Sequence, residues 1–363
     1  MEIVSNSHPE ESSIEALPSF MKNTLCRKHV KEQLDKRLKR FLDKINNQML
    51  SLSKSPDEYQ ITITGDWHRN GCTCILSNKK NNEKFLIKQR SSKAEGLLKE
   101  TFLRLNKDLG YNIYIPDYRD REGFFTQVYV ERKIIKESLN ETLGALLAVS
   151  FWYGLFDLHI ENIIPTDSGI AIVDGECLFG TRRGITFLER LSNSGLFYPS
   201  EGVKHISSAY MLIKKIDEQK ILSGWKNTIN WLVENIEHNN YKEFDVIPIR
   251  KLMLHTFIYT EFLRNRYFYN WSHELTREKW KKLNKSRPVD IVEYELEELQ
   301  DWYIPYFYQE GNELYTQSRK ESIGKVTLPS ESYKRFHKKM LKKELYTNKS
   351  VIKPYLKKVS YYF

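Results

Sequence analysis

The sequence predicts an α+β protein of two lobes, a small antiparallel β lobe followed by a larger, mainly helical one. Three observations carry that expectation. Short alternating runs crowd residues 59–89 and return at Phe124 to Val130, whereas helical apolar spacing dominates from Leu139 onward. Between them, two short apolar runs, Ile163-Ile164 and Ile170 to Val173, are flanked by acids and an amide. With 363 residues, 40% hydrophobic and 13% aromatic, the chain is long enough to bury one large or two modest cores.

In chain order, residues 1–24 read as a flexible segment, polar and acidic with little periodicity. Leu34, Leu38, Phe41, Leu42, Ile45 and Met49 mark an amphipathic helix over Leu25 to Leu50. Strands follow at Tyr59 to Thr64, Cys72 to Leu76 and Lys84 to Gln89, turned at Gly65 to Gly71 and Asn78 to Asn82. A helix over Lys93 to about Leu109 and the extended Phe124 to Val130 complete the first lobe, residues 25–136. The large lobe, 137–332, opens with a helix over Leu139 to Gly154. Further helices are expected at Gly184 to Leu191, Ile206 to Lys215, Gly224 to Ile236, Pro248 to Arg264, Thr276 to Leu283 and Val289 to Leu299. Pro248 suits the first turn of its helix. Trp302 to Phe307 is an aromatic segment, and 333–363 is a Lys- and Tyr-rich end. That end reads as a solvated helix face or as a surface for an acidic ligand.

The formal charge of +10 and pI near 9.1 suit an acidic partner: nucleotide, acidic peptide, nucleic acid or anionic lipid. No apolar run approaches the ~18 residues of a membrane span, and the first residues carry no secretory signal. A cytoplasmic protein follows, with peripheral attachment to an anionic surface left open. Of the cysteines Cys26, Cys72, Cys74 and Cys177, the Cys72-Thr73-Cys74 spacing is too tight for a zinc knuckle, so free thiols are expected.

The chemistry concentrates at Asp157, followed five positions later by Asn162, and at Asp174, which ends the second apolar run. Phosphoryl transfer needs such a set: a carboxylate for the nucleophile's proton, and an amide oxygen and second carboxylate to hold Mg²⁺ against phosphates. The plain alternative is a buried β-turn with solvated acids, against which the spacing of the three groups argues. Lys88 ends the strand Phe85-Leu86-Ile87-Lys88, a costly position unless an anion meets it or the side chain snorkels to water. Glu95 and Glu100 on the next helix are both candidate partners. Gly65 and Gly71 do not form the G-x-G-x-x-G loop of protein kinases, but the order hairpin, strand lysine, helix and linker strand is that of a kinase small lobe.

Six ordered motifs between Gly65 and Phe307 resemble the dehydratase domain of class II lanthipeptide synthetases, which is kinase-like. Gly65-Asp66-Trp67-His68 with Gly71 resembles that family's G-D-x-H-x-x-G, and Phe85-Leu86-Ile87-Lys88-Gln89-Arg90 its strand ending in Y-K-P-R. Asp157-Leu158-His159-Ile160-Glu161-Asn162 looks like D-L-H-x-E-N, and Val173-Asp174-Gly175-Glu176-Cys177-Leu178-Phe179 like I-D-L-E-T-L-F. Arg250 through Thr256 and Tyr259 is similar to R-x5-T-x2-Y, and Asp301-Trp302-Tyr303-Ile304-Pro305-Tyr306-Phe307 to D-I-P-Y-F. Gly175, Cys177 and Leu254 stand where the family has Leu, Thr and Arg.

The resemblance implies a stand-alone enzyme that phosphorylates Ser and Thr of a ribosomal precursor peptide with ATP and Mg²⁺. It then eliminates phosphate to leave dehydroalanine or dehydrobutyrine. Lys88 would hold nucleotide phosphates, Asp157 would be the base for the substrate hydroxyl, and Asn162 and Asp174 would bind Mg²⁺. His159 and Glu176 would complete that site, and Asp66, His68, Arg250 and Thr256 would serve elimination. The implied partners are a precursor with an acidic leader, rather than nucleic acid, and a separate cyclase. The family's zinc-binding cyclase half is absent, since every cysteine lies at or before Cys177. On a regular helix Arg250 and Thr256 point about 120° apart, so sharing one site requires a wrapped side chain or an irregular first turn. The competing reading is a kinase that phosphorylates a peptide or small molecule without elimination. A non-enzymatic partner would have lost Lys88, Asp157, Asn162 and Asp174, and all four are present.

Overall fold

The computed structural model describes residues 28–135, 137–167, 169–179, 187–197, 207–235, 241–317, 319, 321–341 and 349–360. The expected lead-in at 1–24 and Cys26 therefore lie outside the described residues, as do Gly184 and Ile206, where two helices were expected to begin. The protein is α+β and two-lobed, as the sequence predicts.

Helix α1 (Lys28–Ser51) turns Leu38, Phe41, Ile45 and Met49 inward at i, i+3 and i+4 spacing. It covers one face of a five-stranded antiparallel sheet of order β1-β2-β3-β6-β5. These strands are β1 (Tyr59–His68), β2 (Gly71–Asn78), β3 (Lys84–Lys88), β5 (Tyr118–Arg121) and β6 (Phe124–Val128). Tyr59, Ile61, Cys74, Leu76, Phe85 and Ile87 alternate onto the α1 face. The turn expected over Gly65 to Gly71 is instead mostly strand. Register shifts between Thr64 and His68, Gly65 takes φ +76°, and the chain reverses only between the paired His68 and Gly71. Gly71 admits no side chain, because a Cβ there would lie 2.2 Å from the Phe41 ring.

Helix α2 (Lys93–Leu109) ends at Gly110, whose φ of +75° closes the last turn. It leads to β4 (Ile113–Tyr114), a strand the sequence did not reveal. β4 runs parallel to β8 (Ile170–Ile172), which pairs with β7 (Ile163–Pro165) as the expected hairpin. Helix α3 (Asn140–Tyr153) is apolar and buried on nearly every side. It crosses α6 (Glu218–Asn235) backbone to backbone, since a Cβ on Gly144 would meet the Ile221 carbonyl at 2.1 Å and one on Gly224 the Glu141 carbonyl at 2.0 Å. Between them lie the short α4 (Phe187–Ser192) and α5 (Ala209–Leu212).

The largest departure follows Pro248. Ile249–Lys251 is strand β9, not the first turn of a helix, because β10 (Phe307–Glu310) offers it an antiparallel edge with Arg250 opposite Tyr308. β11 (Glu313–Thr316) and β12 (Gly324–Lys325) extend this second sheet. The helix, α7 (Thr256–Phe268), starts only at Thr256. With α8 (His273–Leu283) and α9 (Val289–Gln300) it forms a bundle whose core also receives Val30 and Leu34 of α1. Inside the bundle Glu295 accepts from Tyr259, Trp280 and Arg287. Finally, α10 (Pro329–Leu341) and α11 (Lys349–Ser360) send Tyr333, Ile352, Tyr355 and Leu356 into the main core beside α3. The Lys-rich end is thus partly core. No helix among the described residues is long and apolar enough to cross a membrane, and Cys72, Cys74 and Cys177 are buried free thiols.

Candidate active site

Lys88 ends β3 on the face opposite α1, almost fully buried, and its Nζ donates to the Val173 carbonyl. Burial lowers the Lys88 pKa, with nearby Asp174 opposing the shift. Neither Glu95 nor Glu100 is its partner: Glu95 pairs instead with Arg90, and Glu100 is exposed. Arg90 is the residue sequence reasoning passed over. Its guanidinium meets Glu95, Asp174 (2.8 Å) and Glu176 (2.8 Å), and lies 5.0 Å from the Phe125 ring centre. Burial opposes its charge, and the three acids outweigh that cost. Its signal in the sequence is its position two residues after Lys88.

The loop between α3 and β7 delivers Asp157 in the left-handed region, φ +67°. Asn162 Nδ2 donates to the Asp157 carbonyl (2.8 Å), which ties the loop and leaves the Asn162 Oδ1 for another donor or a cation. The Glu161 N–H donates to His159 Nδ1 (3.2 Å), and His159 Nε2 lies 3.4 Å from Asn162 Nδ2 and 3.8 Å from Asp157 Oδ1. Burial raises the Asp157 pKa, and His159 and Arg250 oppose the rise. At Asp174 burial also pushes upward, but Lys88, Arg90 and Arg250 prevail and hold the carboxyl at about 2. Asp174 therefore stays ionised.

Glu176 is the hub. One oxygen accepts from Arg250 (2.8 Å); the other accepts from Arg90 Nε (2.8 Å) and the Tyr306 hydroxyl (2.5 Å). Arg250 reaches it because β9 is a strand, which aims the side chain across the sheet, and the Arg250 N–H also donates to the Glu176 carbonyl (3.2 Å). Beyond Arg250 lies His68, whose Nδ1 donates to the Ile304 carbonyl (2.7 Å) and whose Nε2 is 3.5 Å from an Arg250 nitrogen. Burial and then the Arg250 charge hold His68 down to about 4, so the ring is neutral; Asp66, close by on β1, pulls the other way. Tyr306 packs edge-on against His68 at 5.0 Å. Its hydroxyl shares the Glu176 oxygen that Arg90 binds, and its ring centre lies 5.0 Å from the Arg250 guanidinium, a role that the aromatic segment around it did not disclose.

The structure thus brings Lys88, Asp157, His159, Asn162, Asp174, Glu176, Arg250 and His68 together where the two lobes meet, with Asp66 beside His68. Thr256 is the exception: it is half-buried at the start of α7, and no hydrogen bond joins it to the others. Asp174 and Asn162 present hard oxygen donors that fit a Mg²⁺ shared with phosphates, a cation that takes one or two carboxylates and leaves the rest to substrate and water. A separate cleft of about 500 Å³ between Phe102, Ile115, Tyr129 and Thr166 contains none of these residues.

Among curated proteins none matches the chain. A protein-family profile described as a domain of unknown function (DUF4135) matches residues 23–204, half of the chain. The match takes in Lys88, Arg90 and the loop from Asp157 to Glu176, and stops before β9. On this match, over the small lobe and the loop from Asp157 to Glu176, the chain belongs to the DUF4135 family.

Proposed function

We propose that the chain is a cytoplasmic peptide Ser/Thr dehydratase that uses ATP and Mg²⁺, transferring phosphate to a precursor hydroxyl and then eliminating it. The observation that carries this reading is the Glu176 hub. It joins Arg90, which also touches Asp174, to Arg250, which touches His68. Groups suited to transfer and groups suited to elimination are therefore one ion-paired cluster.

In transfer, Asp157 orients the Ser or Thr hydroxyl and receives its proton, a task its raised pKa favours. Lys88 meets the nucleotide phosphates. Asp174 and the Asn162 oxygen hold Mg²⁺, whose contribution is to neutralise phosphate charge. In elimination the peptide α-proton leaves, the Cβ–O bond breaks and phosphate departs. With the phosphate offsetting the Arg250 charge that otherwise helps hold His68 at about 4, the His68 Nε2 lone pair would take the proton, and Arg250 would neutralise the departing phosphate. An acidic leader matches the +10 chain, and a separate cyclase would use the dehydrated product.

One observation favours the kinase-only alternative: Thr256 has no hydrogen bond to the Arg250 group. Mass spectrometry of a Ser/Thr peptide with an acidic leader, incubated with ATP and Mg²⁺, separates the two. Loss of water supports dehydration; gain of phosphate alone supports the kinase; neither product rejects both. In Arg250→Ala, phosphopeptide is expected to accumulate. Removing a charge-assisted contact from a preorganised site costs ~3–4 kcal/mol, roughly a hundredfold to thousandfold in the elimination step. Synthetic phosphopeptide with ADP should be converted by wild type and not by Arg250→Ala. Loss of phosphorylation itself in that variant would assign Arg250 to nucleotide binding or to the fold.

A further inference from the structure

Gln127 on β6 is 1% exposed, and neither its amide nitrogen nor its carbonyl oxygen has a hydrogen-bond partner. A dry, unpaired carboxamide is costly, and such a group in a folded protein calls for an explanation. Its position supplies one. β6 pairs antiparallel with β3 so that Lys88 stands opposite Phe125 and Leu86 opposite Gln127. Directly paired residues, and residues two apart, share a face. Lys88, Leu86, Phe125 and Gln127 therefore lie on the sheet face away from α1, which takes Phe85, Ile87 and Phe124. Lys88 Nζ lies 5.8 Å from the Phe125 ring centre and near Asp174. Gln127 is one rung further, about 7 Å from the ~3.4 Å rise per residue, where the strand runs out into residues 129–135. Half-buried Leu86, paired with Gln127, and Ile75 beyond it on β2 give that face an apolar surface one rung from Lys88. A nucleotide with its phosphates at Lys88 and its base along this surface would bring the base to Gln127.

We propose that Gln127 reads the base of the nucleotide, its amide oxygen accepting from the 6-amino group of adenine and its NH₂ donating to the neighbouring ring nitrogen. A carboxamide carries both functions, and Gln pairs in this bidentate way with adenine elsewhere. Rotation about the side chain's own χ angles brings the amide to the base. The proposal rests on the ATP reading above and adds the residue that selects the base.

Calorimetry on the full chain with Mg²⁺ tests it, using ATP, purine riboside triphosphate (which lacks the 6-amino group) and inorganic tripolyphosphate. Wild type should prefer ATP over the purine analogue about tenfold. Gln127→Met should lose that preference, bind ATP about tenfold more weakly and bind tripolyphosphate unchanged. The ligand-free variant should melt no lower than wild type, because an unpaired amide has been replaced by an apolar group of similar length. Unchanged ATP affinity in Gln127→Met overturns the proposal. So does a lower melting temperature with equal weakening of ATP and tripolyphosphate, which is the signature of a structural residue. Wild type that binds neither ATP nor tripolyphosphate rejects the nucleotide reading, and the role of Gln127 with it.

Discussion

Two side chains at the cleft have opposite electrostatic fates, and each gives a measurable outcome. Asp174 is buried yet ionised because Lys88, Arg90 and Arg250 outweigh desolvation. Asp174→Asn should lower both phosphorylation and dehydration by orders of magnitude, as removal of a metal carboxylate does. Near-wild-type turnover in a steady-state assay would take Asp174 out of the metal set. His68 is held neutral, its pKa moved from 6.5 to about 4 by burial and Arg250. The unfolded chain then binds a proton between those values that the folded chain refuses, so stability rises with pH and is lost as pH falls through this window. The loss is up to about 3 kcal/mol. Urea melts from pH 7 to pH 4 should show this slope in wild type and lack it in His68→Gln. A slope unchanged in the variant would place the titrating group elsewhere. The identities of most cleft residues were legible because their spacing is local: Asp157 to Asn162, and Lys88 at a strand end. Arg90 and Tyr306 were not singled out, because their partner Glu176 is distant in sequence.

Among the elements, the crossing of α3 and α6 is the tightest constraint. Gly144 meets the Ile221 carbonyl where its side chain would be, and backbone, unlike a flexible side chain, does not give way. Gly144→Ala should overpack this crossing and cost about 1–3 kcal/mol or more, read as a lower midpoint in chemical denaturation. A neutral result would mean the helices slide apart freely. The same scale explains what the sequence concealed. β1, β2, β3 and α2 announced themselves through alternation, helical spacing and glycine turns. β4, β5 and β9 to β12 are each two to four residues long, too short for a period, and β4 and β9 exist only through pairing with the distant β8 and β10. Proline at 248 fits a helix start as well as it fits the entry to β9, and the edge of β10 decides between them. With β9 extended, the 120° separation of Arg250 and Thr256 on a common helix no longer applies.

For the whole molecule, the basic end is both core and surface. Removing residues 334–363 would strip Ile352, Tyr355 and Leu356 from the main core and, with Tyr355, a hydroxyl that donates to the Phe197 carbonyl (3.1 Å). Such a truncation should lose its cooperative melt, so it cannot report on leader capture. Exchanging exposed Arg335 and Lys353 for Glu should keep the melt and weaken binding of an acidic peptide. The remaining binding should fall less steeply with salt, since exposed charges beyond ~8–10 Å are screened at physiological ionic strength. Unchanged affinity and salt dependence would make this face a bystander.

α1 reaches across both lobes. Its first half packs Val30 and Leu34 into the α7–α9 bundle, its second half packs Phe41 and Ile45 under the small sheet, and Arg37 donates to the Asp301 and Trp302 carbonyls. The tip of β1 is stitched to the same segment, with Ile304 N–H on the Trp67 carbonyl and His68 on the Ile304 carbonyl. Lifting the small sheet away from Asp157 and Asp174 would therefore carry the bundle along or break these contacts. In the proposed cycle, an opening wide enough to release nucleotide would move α1, the sheet and the bundle as one unit.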